Sequence, residues 1–78
     1  MKVTIFTTPT CSWCKKSKEF FKEYKVKYKE IDVSRDYKAA HEMIEKSGQQ
    51  GVPVIEIDGN IVVGFDEPKL RKLLKIAS

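Results

Sequence analysis

Lys2-Val3-Thr4-Ile5-Phe6-Thr7-Thr8-Pro9-Thr10-Cys11-Ser12-Trp13-Cys14 is the segment that sets the architecture. Its first six residues are rich in β-branched and aromatic side chains and are stopped by Pro9, which predicts a strand over Lys2 to Thr7. A helix is expected from about Ser12 to Lys25. Trp13, Phe20, Phe21 and Tyr24, with Cys14 and Ser17 between them, recur at spacings of three and four and predict one buried stripe. Both cysteines therefore fall where a strand hands over to a helix.

Outward from this unit the periodicity alternates again. Tyr28-Lys29-Glu30-Ile31-Asp32-Val33 reads as a second strand. Ser34 or Asp36 can cap a second helix, whose buried face is expected to carry Tyr37, Ala40, Ile44 and Ser47 and whose stop is Gly48. Pro53-Val54-Ile55-Glu56-Ile57 and Ile61-Val62-Val63 predict a hairpin turned by Asp58-Gly59-Asn60. Asp66 caps a last helix with Glu67 and Pro68 in its first turn and a stripe of Leu70, Leu73, Leu74 and Ala77. The order is βαβαββα. A strand, helix, strand unit implies a parallel pair with a right-handed crossover, and the hairpin adds antiparallel strands. The expected fold is α/β, a mixed four-stranded sheet with helices on both faces.

The chain has 78 residues, about half a typical domain, so one domain over residues 1–78 is expected. Apolar residues make up 41% and charged residues 33%, which fits a folded globule rather than a disordered chain. No apolar run approaches the ~20 residues needed to cross a bilayer, and Met1-Lys2 leads into a strand instead of a signal-peptide core. The expectation is a soluble, cytoplasmic monomer without membrane contact. The net charge of +4 does not point to nucleic acid, because the lysines from Lys15 to Lys29 are interleaved with Glu19 and Glu23 and no binding motif accompanies them. Such a surface can steer acidic partners or anionic thiols.

Only 2 cysteines occur, and both lie in Cys11-Ser12-Trp13-Cys14. A bridge closing so short a loop adds little loop-closure entropy and staples no distant segments, so its use is chemical rather than structural. At a helix N-terminus the unpaired N–H groups and the positive dipole end stabilise a thiolate. Such sites lower a thiol pKa from about 8.5 into a range of about 3.5–7.5. Cys14, nearly one turn on and facing the same side, can reach Cys11, and its deeper position suits a resolving thiol. Zinc would need two further ligands. The sequence has no other Cys and a single histidine, His41, placed on the second helix, so no metal site is expected.

Thr-Thr-Pro-Thr-Cys11-Ser-Trp-Cys14 after the first strand, Gly51-Val52-Pro53 before the third and Val63-Gly64-Phe65-Asp66 before the last helix resemble the glutaredoxins, above all the small bacterial and archaeal glutaredoxin-like proteins, over essentially the whole chain. The resemblance implies a thioredoxin-like fold and dithiol–disulfide oxidoreductase activity, with Cys11 attacking and Cys14 resolving. It implies a cis Val52-Pro53 bond facing the active cysteine, where the Val52 main chain would pair with substrate. Gly64 would allow close approach. The Phe65 and Asp66 N–H groups would hold a carboxylate, and Asp66 or Glu67 an α-amino group, as at the γ-glutamyl end of glutathione. Asp66 is equally a plain N-cap, and Trp13 is either a partner-contact aromatic or helix packing.

Two departures bear on the partner. Ser12 and Trp13 stand where many glutaredoxins have Pro-Tyr, and some relatives with Ser there bind an iron–sulfur cluster in a dimer, using the first cysteine and glutathione. Thr8 stands where many carry Lys or Arg, which weakens the case for glutathione. The reading is an enzyme with no tightly bound cofactor that reduces protein or glutathione mixed disulfides. Its reductant would be glutathione or a thioredoxin-reductase-type flavoprotein, as in electron donors to ribonucleotide reductase. An iron–sulfur carrier is the alternative from another class.

Overall fold

A computed structural model describes residues 2–76. Seven elements follow in the predicted order: β1 (Val3–Thr7), α1 (Ser12–Glu23), β2 (Lys29–Asp32), α2 (Tyr37–Ser47), β3 (Val54–Ile57), β4 (Asn60–Val63) and α3 (Glu67–Leu74). The sheet order is β2-β1-β3-β4. β1 runs parallel to β2 and antiparallel to β3, and β3 is antiparallel to β4. The expected mixed sheet is therefore present.

Strand alternation divides the core between two faces. Val3 and Ile5 of β1, Ile55 and Ile57 of β3 and Val62 of β4 point to one face, where Phe20 and Phe21 of α1 and Leu70 and Leu74 of α3 cover them. Phe6 and Val54 point to the other, against Ala39 and Met43 of α2. The register pairs Ile5 with Ile55 and Phe6 with Val54, so each face is continuous across the central strands. Full burial of such a side chain stabilises by about 1.5–3 kcal/mol, which makes the α1 and α3 side the stronger half.

Two faces depart from the periodicity. On α2 the buried residues are Ala39 and Met43, whereas Tyr37 is 89% exposed and Ile44 lies at the surface. Ala40 and Ser47 are half-buried. The helix is rotated by one residue from the expected face, because small Ala39 and flexible Met43 fit closely over Phe6 and Val54 while the larger side chains face water. On α1, Trp13 is exposed although its spacing placed it in the stripe. Ala77, expected to extend the α3 stripe, lies outside the described residues.

The helix ends are also specific. α1 stops at Glu23, short of the expected Lys25, because Lys25 takes a left-handed conformation (φ 56°). The N–H groups of Val26 and Lys25 then donate to Phe21 O and Lys22 O, at 2.8 and 3.2 Å. This is the Schellman closure. Asp36, not Ser34, caps α2, and Gly48 ends it with φ 73°. Asp58 and Gly59 both take positive φ, as a type I′ hairpin turn requires. β1 begins at Val3 because Lys2 instead exchanges hydrogen bonds with Asp58: its N–H donates to Asp58 Oδ1 at 2.7 Å and its carbonyl accepts from Asp58 N at 2.9 Å.

Candidate functional site

The sheet register brings three chain segments to one end. β1 ends at Thr7 and leads into the Thr8-Pro9-Thr10 turn, β3 begins after Pro53, and β4 ends at Val63 opposite Val54. Gly64 N donates to Pro53 O at 2.8 Å, which ties the last two together. The Val52-Pro53 bond is cis, as the family resemblance implied.

Cys11 is the N-cap of α1. Its backbone is extended (φ −89°, ψ 110°), and its Sγ accepts a hydrogen bond from Cys14 N at 3.0 Å. The turn before it is closed by Cys11 N donating to Thr8 O at 3.3 Å. Cys11 and Cys14 form a disulfide with Cα atoms 5.2 Å apart. Cys11 is half-buried and reachable, whereas Cys14 is 1% exposed beneath the helix. Difference in access is thus built into the pair by helix geometry, since position 14 turns toward the core.

The other predicted residues separate into those drawn together and those engaged elsewhere. Trp13, 56% exposed, stacks on Phe65 with ring centroids 6.2 Å apart and planes 27° apart, and Lys16 Nζ sits 5.3 Å over its ring. Phe65 also meets Phe20 edge-on at 5.7 Å, so it wedges against α1. Gly64 has φ 77°, the left-handed region that favours glycine. Apart from Gly64 itself and its two chain neighbours, no atom of the described residues lies within 4 Å of where its Cβ would stand, so glycine answers here to the backbone angle. Val52 is half-buried, and no hydrogen bond among the described residues occupies its N–H or C=O. Asp66 caps α3, its Oδ1 accepting from Lys69 N at 3.3 Å. Glu67 turns along the helix and pairs with Arg71, Nε to Oε2 at 2.9 Å, with Arg71 in turn donating to the Tyr24 hydroxyl at 2.7 Å. Glu67 thus already has a cationic partner.

One part of the site escaped the sequence reading. A cleft of about 760 Å³ opens at Cys11 and Ser12 and continues along α1 and the ends of β1 and β2. Its wall holds Thr7, 2% exposed, which donates to Glu30 Oε2 at 3.0 Å, and Glu30 also accepts from Lys18 Nζ at 2.9 Å. The Lys18 ammonium lowers the Glu30 pKa, with Thr7 assisting against partial desolvation. Asp32 is likewise lowered, chiefly by the Ser34 hydroxyl. The available signal was the position of Thr7, which strand alternation puts on the same face as Val3 and Ile5, since a buried hydroxyl needs a partner. His41 pairs with Glu45 on the exposed side of α2. Among the described residues, no group of three or more His, Cys, Asp and Glu side chains is placed to hold a metal ion, and no helix is long and apolar enough to cross a membrane.

The chain is similar in sequence and fold to known proteins. The Glutaredoxin family model matches residues 3–62. A glutaredoxin-like 8.6 kDa protein encoded in a rubredoxin operon of Clostridium pasteurianum is 47% identical over 73 residues, covering 94% of this chain and 97% of that one. Glutaredoxin 3 of Escherichia coli K12 is 32% identical over 65 residues, 83% of this chain and 78% of its own. Among solved structures, the thioredoxin-like protein BC3987, crystallised as a threonine-to-alanine mutant, superposes with a TM-score of 0.92 at 36% identity, covering 97% of each chain. Glutaredoxin grx-1 of Archaeoglobus fulgidus gives 0.87 at 28% identity, over 95% of this chain and 86% of that one. A thioredoxin-like sheet with a redox cysteine pair at the head of α1, matched over most of its length by these proteins, places the chain in the glutaredoxin family.

Proposed function

We propose that the chain is a dithiol–disulfide oxidoreductase in which Cys11 is the nucleophile and Cys14 the resolving thiol. The observation that carries this reading is the asymmetry of the pair: Cys11 Sγ stands reachable at the N-terminus of α1, and Cys14 is buried one turn behind it. The Cys11 thiolate attacks one sulfur of a substrate disulfide R–S–S–R′, forming the Cys11–S–S–R bond and releasing R′S⁻. Cys14 then loses its proton and attacks the Cys11 sulfur, which forms the Cys11–Cys14 disulfide and releases RS⁻. Two electrons have passed from the dithiol to the substrate, and solvent protons neutralise the departing thiolates. The unoccupied N–H and C=O of Val52 suit the main chain of a substrate, held as an added strand would be. On this reading Trp13, Pro53, Gly64, Phe65 and Asp66 would flank the bound substrate, whereas Glu67 is engaged by Arg71.

The pair is trapped by variants. With Cys14→Ser, a disulfide substrate leaves a mixed disulfide on Cys11 that mass spectrometry detects. With Cys11→Ser, turnover falls to background; retained turnover contradicts the mechanism.

Two observations favour a flavoprotein dithiol as electron donor over glutathione. Thr8 supplies no cation for a glutathione carboxylate, and Glu67 is engaged by Arg71 and not free for an amino group. In a coupled assay that follows NADPH consumption with one common disulfide, thioredoxin reductase is expected to support faster turnover than glutathione with its reductase. The reverse order would make glutathione the donor.

A further inference from the structure

The segment between β4 and α3 has few anchors of its own. Glu67, Pro68 and Lys69, the first turn of α3, are exposed, and the buried residues of that helix, Leu70 and Leu74, come after them. Phe65 is half-buried, and Gly64 is tied to Pro53 by one hydrogen bond of 2.8 Å. Trp13 and Phe65 stack with centroids 6.2 Å apart, in the outer part of the range of about 4.5–7 Å for aromatic pairs, so the stack alone holds Phe65 weakly.

Behind Phe65 stands Phe20, and Arg71 lies over Phe20. The guanidinium carbon is 5.4 Å from the Phe20 centroid and 4.9 Å from that of Tyr24, inside the roughly 6 Å over which a cation is attracted to a ring face. The same group donates from Nη2 to the Tyr24 hydroxyl at 2.7 Å and from Nε to Glu67 Oε2 at 2.9 Å. A planar fork can stack on rings and hold two acceptors at once, which a lysine ammonium cannot. Glu67 follows Phe65 by two residues, so this one side chain joins the rings of α1 to the segment that carries Phe65.

We infer that Arg71 is a positioning residue for disulfide exchange with polypeptides: by clamping Phe20, Tyr24 and Glu67 it fixes Phe65, and through Phe65 it sets both Trp13 and the Gly64–Pro53 junction next to Val52. The inference rests on the proposed docking of substrate main chain at Val52 and on Cys11 as nucleophile. A polypeptide disulfide that docks against this wall depends on the clamp. A small disulfide needs only access to Cys11 and does not.

The test compares two mixed disulfides of 2-nitro-5-thiobenzoate, one with an uncharged peptide containing a single cysteine and one with 2-mercaptoethanol. Release of the coloured thiol by the reduced protein gives a second-order rate for each, divided by its rate with dithiothreitol to remove intrinsic reactivity. Arg71→Met is expected to lower the peptide rate about fivefold and to leave the 2-mercaptoethanol rate within about twofold of native. In its disulfide form the emission of Trp13, the one tryptophan of the chain, is expected to shift to the red. Tyr24→Phe, a milder change that keeps the ring, is expected to show the same pattern at about twofold. Because Arg71 acts through Phe65, adding Arg71→Met to Phe65→Ala is expected to cost no more than Phe65→Ala alone. Native peptide rates in both Arg71→Met and Tyr24→Phe overturn the inference, as do additive losses in the double variant. A peptide-specific loss of the same size in Asp36→Ala, which weakens the fold far from this wall, also overturns it. Equal normalised rates for the two disulfides in the native protein would instead remove the docking at Val52, and a native 2-mercaptoethanol rate in Cys11→Ser would remove the nucleophile assignment, so the failures are distinguishable.

Discussion

The first turns of α1 and α2 are built alike and serve different ends. Cys11 and Asp36 both hold extended backbone angles ahead of their helices, and both accept a hydrogen bond from the N–H three residues on, at 3.0 Å to Cys14 and 3.0 Å to Ala39. A carboxylate is a strong cap and sulfur a weak one. α2 buries only Ala39 and Met43, so its cap is expected to carry a larger share of its stability. α1 is anchored by Phe20 and Phe21 in the main core and keeps its place with a poorer acceptor at its head. The same backbone geometry thus provides stability in one helix and a nucleophile in the other.

Exchanging the two caps gives the largest effect. Cys11→Asp is expected to leave α1 folded and to stabilise the protein by up to about 1 kcal/mol relative to its reduced form, while disulfide reduction drops to background. Denaturant titration beside a turnover assay reads both, and loss of fold in this variant would show that the cysteine cap has a structural role. Asp36→Ala is expected to cost about 1 kcal/mol, a fall in Tm of roughly 4–8 °C for a domain of this size, with the rate of disulfide reduction unchanged. An unaltered Tm would show that packing alone holds α2.

A smaller effect belongs to the cleft wall. The Glu30 pKa is lowered in the folded state mainly by Lys18, so the carboxylate stabilises the fold above the ordinary carboxylate range and loses that contribution as pH falls through its folded pKa. The side chain is 39% exposed, which keeps the contribution small. The stability difference between the native protein and Lys18→Met is therefore expected to be present at pH 7 and to shrink as acid protonates Glu30; a difference independent of pH would remove the ion pair as its cause. Smallest is the gain at the other end of α1. Lys25 adopts φ 56°, a conformation glycine takes without strain, and Lys25→Gly is expected to stabilise by up to about 1 kcal/mol in denaturant titration.

How far the sequence carries depends on the range of the interaction. Phe20 and Phe21 mark the buried side of α1 because large adjacent aromatics leave one solution, and Asp58-Gly59 marks its turn because few residues accept positive φ there. On α2 the apolar residues fall on neighbouring faces, and only contact with Phe6 and Val54 decides for Ala39 and Met43 over Tyr37 and Ile44. Cys11 and Cys14 are legible from spacing at a strand-to-helix junction. The cis bond at Pro53 follows from family resemblance alone, because an X-Pro bond is cis in only about 5–6% of folded cases. The Thr7–Glu30–Lys18 wall joins residues 12 and 23 positions apart, so it exists only once β1 and β2 are in register. For Trp13 the period of α1 and the motif leave burial and exposure both open, and the structure shows it 56% exposed, stacked on Phe65 more than 50 residues away.

The claim that Cys11 is the attacking thiol and Cys14 its buried resolver is tested most directly by limited alkylation of the fully reduced native protein, followed by peptide mass spectrometry. The account predicts that a single adduct forms first on Cys11, with Cys14 modified at least about tenfold more slowly, because access and the positive end of α1 both favour the N-cap sulfur. Equal labelling of the two cysteines, or labelling of Cys14 first, would contradict it.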